Sequence, residues 1–236
     1  SDSLEGRETG QKGIQLASDY LVKNIRNIGL YPKSVEMGYL QPVAFTYSKW
    51  SDNDMYINGN RFRLLWDYIT MPEDNENNEL IKDSEVIFLG YGIDDAKYSD
   101  YKKVDVKGKV IMINKGEPWD SKGKSYITGT ADTSVWSKDM SKKLKIAKEK
   151  GAKLVLIIED DIKKLLEDKR NKLLSANLQL GNQKKAVLPT ANHIFISSTI
   201  AKEIIGNNDK KIISARKKLA KGKPSMVKLP TDFKMN

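Results

Sequence analysis

The chain has 236 residues, no cysteine and a single histidine, His193. That excludes disulfides, thiolate metal sites, a cysteine nucleophile and, within one chain, any site built on two imidazoles. The formal net charge of +10 is unevenly spread, −4 over residues 1–137 (17 basic, 21 acidic) and +14 over 138–236 (24 basic, 10 acidic). Thirty-five of the basic residues are Lys and six are Arg. Bidentate phosphate clamping and base-edge reading favour arginine, so the basic half is expected to be a solvated lysine coat, typified by Lys142, Lys143, Lys145, Lys148 and Lys150, with no nucleic-acid partner. No stretch reaches the ~20 apolar residues of a membrane span. None of these residues reads as a signal peptide, and Ser1 is expected to be a cloning or processing boundary, so no compartment is excluded by this.

In chain order, residues 11–28 place Ile14, Ala17, Leu21, Ile25 and Ile28 at helical spacing, and Gly29 stops the helix. An extended segment is expected over 38–47. Asn58-Gly59 between apolar flanks predicts a hairpin. Residues 72–83 read as a polar loop. The β-branched runs EVIFLGYG (85–92) and GKVIMINKG (108–116) predict strands, joined by a polar segment. A helix over 138–150 runs into the apolar strand GAKLVLII (151–158) through a glycine stop. The charged stretch 159–186 reads as a helix plus loop, 188–197 as a short strand, 200–206 as a helix and 209–222 as a lysine-rich amphipathic helix. The last fourteen residues are expected to be extended or loop. The fold class expected is mixed α/β, a β-rich domain with flanking helices, preceded by an N-terminal helix and strand.

The chemistry on offer is sparse. His193 stands at the start of an apolar strand with no acidic neighbour in sequence, the setting of a structural histidine. Ser197-Ser198-Thr199 precedes a helix and reads as its cap, since no Gly-x-Ser-x-Gly elbow is present. The acidic groups Asp94-Asp95 with Asp100, Glu73-Asp74-Glu76 and Glu159-Asp160-Asp161 lack the spacing and glycine of a calcium loop and read as solvated loops. Gly90-Tyr91-Gly92 lacks the third glycine of a dinucleotide fingerprint. Trp119, Tyr126 and Trp136 share one loop region, either as a contact surface or packed over the sheet.

Two segments resemble a known family. Leu4, Gly6, Arg7, Gly10 and Gly13, followed by Gly29, Leu30 and Pro32, are similar to the N-terminal signature of secreted di-zinc aminopeptidases, relatives of aminopeptidase Y and glutamate carboxypeptidase II. Residues 39–45 resemble the strand that follows it. Residues 90–118 and 143–158, with Gly108, Lys109, Gly151 and Ala152, resemble the protease-associated domain inserted early in many of these enzymes. The resemblance implies two zinc ions in a parent protein, held by two histidines and three carboxylates beside a glutamate base in a downstream domain that opens with His-x-Asp. Neither His-x-Asp nor a second His occurs in this chain.

The expectation is therefore a non-catalytic fragment that carries no catalytic residue and no cofactor of its own. Residues 1–48 would belong to the peptidase-type region, 49–230 to the protease-associated-like domain, and 231–236 to the return toward a missing peptidase domain. Its expected partners are that peptidase domain and a peptide substrate, in a secreted, periplasmic or cell-surface protein. The alternative is a free-standing module binding peptide or glycan through the aromatic loop. If residues 1–48 pack on an absent domain, Leu21 and Ile25 should be exposed.

Overall fold

The structure is a computed structural model that describes residues 9–32, 38–48, 54–71, 74–76, 80–174, 177–181 and 187–235. The chain divides into two compact units: Ser1–Thr46 with Leu178–Lys184, and Tyr47–Asn177 with Lys185–Asn236.

The smaller unit holds α1 (Lys12–Asn27), which closes as the sequence predicts. Gly29 adopts φ +77°, and the amides of Gly29 and Leu30 donate to Arg26 O and Ile25 O, satisfying the last carbonyls of the helix. Leu21 is 57% exposed and Ile25 half-buried. A two-stranded ladder pairs β1 (Phe45–Ser48) with β8 (Asn177–Leu180). The strand β8 lies inside the stretch read as helix plus loop; its helical part is α4 (Ile162–Leu174).

The larger unit is built on one mixed sheet of eight strands. Its centre is parallel: β5 (Ile81–Phe88), β6 (Val110–Asn114), β7 (Leu154–Glu159) and β9 (His193–Ser197). Strands β6 and β7 and the end of β5 (Val86, Ile87, Phe88) are apolar on both faces, as cover on both sides of a sheet demands, whereas β5 opens with the polar residues Lys82, Asp83, Ser84 and Glu85. Val86, Phe88, Val110, Met112, Leu154, Leu156, Ile194 and Ile196 join α5 (Ser198–Ile205) and α6 (Asp209–Leu219) in one core. The alternate residues Ile87, Ile111, Ile113, Val155 and Ile157 pack against Leu144 and Ala147 of α3 (Met140–Glu149) in another. The period of two thus divides a single sheet between two cores.

Antiparallel strands complete the sheet. Asn58 (φ 52°) and Gly59 (φ 86°) turn the predicted hairpin of β2 (Asp54–Ile57) and β3 (Asn60–Arg63), the positive φ pair that matches strand twist. A two-residue strand, β4 (Tyr68–Ile69), pairs with β9 at the far edge. The C-terminal segment forms β10 (Val227–Met235), inserted between β2 and β5, so residues 231–235 continue a strand of this sheet. The full strand order is β3-β2-β10-β5-β6-β7-β9-β4. The register of β10 against β5 shifts between Pro230 and Phe233, and proline is tolerated beside such a bulge. Residues 81–83, expected in the loop 72–83, already belong to β5.

Candidate functional site: a buried carboxylate–ammonium cluster

Open parallel sheets place their sites beyond the carboxyl ends of the strands. Beyond β5 and β6 the chain gathers three buried ionisable side chains, Asp100, Glu117 and Lys143, which are 3%, 2% and 1% exposed. Asp100 is delivered by the loop after β5. Its Oδ2 accepts the amides of Tyr91 (3.0 Å) and Ile93 (3.1 Å), and its Oδ1 accepts the Tyr98 hydroxyl at 2.7 Å. Gly90 makes room for it: at φ +57°, a Cβ there would stand 2.5 Å from Asp100 Oδ1. Lys143 enters from the first turn of α3. Its Nζ donates to Gly116 O at 2.5 Å and lies 5.8 Å from the centroid of the Tyr91 ring. Glu117, in the loop after β6, accepts the Ser134 amide at 2.8 Å and also the Ser134 hydroxyl. Ser134 in turn caps α2 (Val135–Lys138) by accepting the Trp136 amide.

The electrostatics follow from burial. Removal from water pushes the Asp100 carboxyl up to about 6, against the hydrogen bonds of Tyr98, Ile93 and Tyr91 and the charge of Lys143. The same desolvation brings the Lys143 ammonium down to about 8, while Asp100 and Glu117 draw it back toward the charged form. Burial, and then the Asp100 charge, raise the Tyr91 hydroxyl. An acid and a base poised on either side of neutrality are what proton-transfer chemistry uses. Here, however, both groups are closed from solvent and bonded to main chain or to Tyr98. What they do physically is tie the loop 89–100, the loop 115–118 and α3 to one another.

This corrects two expectations. Lys143 belongs to the core instead of the solvated lysine coat, and its neighbours are engaged too: Lys142 Nζ lies 4.1 Å from the Trp136 ring centroid, Lys148 pairs with Glu76 at 2.6 Å and Lys150 with Asp94 at 2.9 Å. The aspartates of the 94–100 turn are structural acceptors, since Asp94 takes the Ser99 hydroxyl and Asp95 the Trp136 indole N–H (3.0 Å). Glu159, also read as part of a solvated loop, is 7% exposed and pairs with Lys115 at 2.7 Å. The cue in sequence was a lysine on an apolar stripe, since Met140, Lys143, Leu144 and Ala147 share one helix face.

The motif residues lie elsewhere. Gly6 and Arg7 fall outside the described residues. Gly10 (φ +82°) turns the chain before α1, and Gly13 is buried in its first turn. Gly108, Lys109, Gly151 and Ala152 come together at the opposite, amino-terminal ends of β6 and β7, where Gly108 N–H donates to Gly151 O at 2.8 Å and Lys153 N–H to Lys109 O at 2.9 Å. Gly151 (φ +78°) and Ala152 also close α3 through bonds to Lys148 O and Ala147 O. Their role is architectural. His193 is 6% exposed, with Nδ1 3.2 Å from Ala191 O and its ring edge-on to Phe195. Ser197 caps α5 as expected. Trp136 is buried at 3%.

Among the described residues, no three His, Cys, Asp or Glu side chains converge to hold a metal ion, so these residues offer no fit for the di-zinc set that the resemblance implies. Among the described residues no helix is long and apolar enough to cross a membrane.

No family model matches the chain. No curated protein matches it either. Among solved structures it is similar to an aminopeptidase from Aneurinibacillus sp. strain AM-1, at a TM-score of 0.35 and 13% identity, over 99% of this chain and 45% of that one. The chain thus spans less than half the length of that structure. A likeness so distant assigns neither family nor activity.

Proposed function

We propose that the larger unit is a non-catalytic accessory domain of the protease-associated type, carried by a zinc-dependent aminopeptidase-like protein outside the cytoplasm, where it shapes substrate access or mediates contacts. The observation that carries this reading is the pairing of its ends. β2, near the beginning of the unit, and β10, at its end, are antiparallel neighbours, with Met55 opposite Met235, Tyr56 opposite Lys234 and Ile57 opposite Phe233. A domain whose two ends leave side by side can be inserted into a host domain without disturbing it. The motif segments support the same reading, because 108–109 and 151–152 form the adjoining starts of two central strands. The alternative, a free-standing binding module, draws less on the aromatic loop, because Trp136 is buried while Trp119 and Tyr126 are half-buried.

The two zinc ions would then be bound by another domain of the parent. The test is an aminopeptidase assay of this 236-residue chain with added zinc. The proposal expects no release of N-terminal residues, and zinc-dependent release contradicts it.

A further inference from the structure

A groove of about 500 Å³ runs between α6 and the beginning of β10. Lys210, Lys211 and Lys218 line it from the helix and Lys228 from the strand, with Ser214 and Ser225 between them. No carboxylate lines it among the described residues. Lys228 alone approaches one, at 3.6 Å from Glu85; Lys210, Lys211 and Lys218 have no ion-pair partner among the described residues. The walls are firm, because Ile212, Ala215 and Leu219 anchor α6 in the core and β10 is held along β5. Four lysines bordering one groove concentrate positive charge there, which an anion entering it would offset.

The kind of anion follows from the lining. From Lys210 to Lys218 the helix rises about 12 Å, so the lysines that line the groove from α6 are spread along its side, with Ser214 between them in sequence. That suits a chain bearing several negative charges better than a single small anion. Ammonium groups serve phosphate as point charges, without the planar geometry that arginine demands. No aromatic side chain and no arginine line the groove, so it offers nothing on which a nucleic-acid base would stack. We infer that the α6–β10 groove binds a linear phosphate chain that carries no bases, of which inorganic polyphosphate is the simplest example.

The test is a calorimetric titration of the full chain with inorganic polyphosphate at several salt concentrations, beside single-stranded DNA of equal charge and orthophosphate. Polyphosphate should bind, with affinity falling as salt rises. The variant K210Q/K211Q/K218Q, which removes exposed charges, should weaken binding and lower the salt slope by about 2–3, roughly one for each lysine–phosphate pairing removed. The control K163Q/K164Q/K169Q removes the same charge from the exposed face of α4 and should leave affinity and slope unchanged. Circular dichroism verifies that both variants are folded. An equal loss in the control overturns the inference, because binding then follows net charge and not the groove. DNA or orthophosphate binding as tightly as polyphosphate overturns it as well, as does absence of polyphosphate binding at low salt.

Discussion

Replacing Lys143 by Met keeps the length and most of the volume of the side chain but removes the ammonium that faces Asp100 and Glu117. Both carboxylates stay buried, at 3% and 2% exposure, and Gly116 O loses its donor at 2.5 Å. Breaking a buried charge cluster from one side costs about 3–5 kcal/mol, because the remaining carboxylates keep their hydrogen bonds but lose the opposite charge that offsets their burial. Domains are stable by only about 5–15 kcal/mol. At about 2–4 °C per kcal/mol for a domain of this size, Tm should drop by on the order of 10 °C. Urea unfolding at pH 7 measures the loss. Lys145→Met, an exposed position on the same helix, should change stability by less than about 0.5 kcal/mol. Adding Asp100→Asn to the Lys143 variant should recover part of the loss, since the two sites are coupled. A Lys143→Met protein within about 1 kcal/mol of the parent would refute the cluster as a structural tie.

The same cluster predicts two slopes in the pH dependence of stability. Asp100 titrates near 6 in the folded chain against 3.8 in the unfolded one, so the fold holds the proton more tightly. Its contribution is fully present below 3.8 and lost as pH rises through about 6, a loss of about 3 kcal/mol. Urea midpoints at pH 4 and pH 7 should show this decline in the parent and a flatter profile in Asp100→Asn. Lys143 acts at the other end. Its folded value of about 8 lies below the 10.5 of the unfolded chain, so the fold favours the neutral amine. Stability should rise with pH from about 8 toward 10.5, and Lys143→Met should lack that rise.

How far the sequence foretells this molecule depends on how local each signal is. Strands β6, β7 and β9 and the end of β5 are legible because burial on both faces demands apolar runs, whereas the polar beginning of β5 reads as loop, and Asn58-Gly59 is legible because few other pairs adopt its two positive φ angles. Strand β10 is harder to see. Its polar residues alternate with buried Val227, Leu229, Thr231, Phe233 and Met235, but Pro230 and the bulge after it break the pattern of a central strand. The two-residue β4 has no period at all, and only its partner β9 defines it.

The buried cluster was the least legible feature. A lysine in a lysine-rich helix looks solvated until tertiary structure puts two carboxylates, 43 and 26 positions away in sequence, into the same interior space. His193 and the Ser197 cap were legible for the converse reason, since the groups that satisfy them lie within a few residues along the same chain.

The pairing of β2 with β10 carries the most weight, because it brings the beginning and the end of the larger unit together. The chain contains no cysteine, so an engineered pair reports on this pairing without interference. Directly opposed antiparallel residues lie about 4.5–5.5 Å apart between Cα atoms, within the range a disulfide spans. Oxidation of the double variant Tyr56→Cys with Lys234→Cys, followed on a non-reducing gel, measures the pairing directly. The expected product is a fast-migrating, intramolecularly closed monomer that reverts on reduction. Persistence of free thiols, or cross-linking only between molecules, would contradict it.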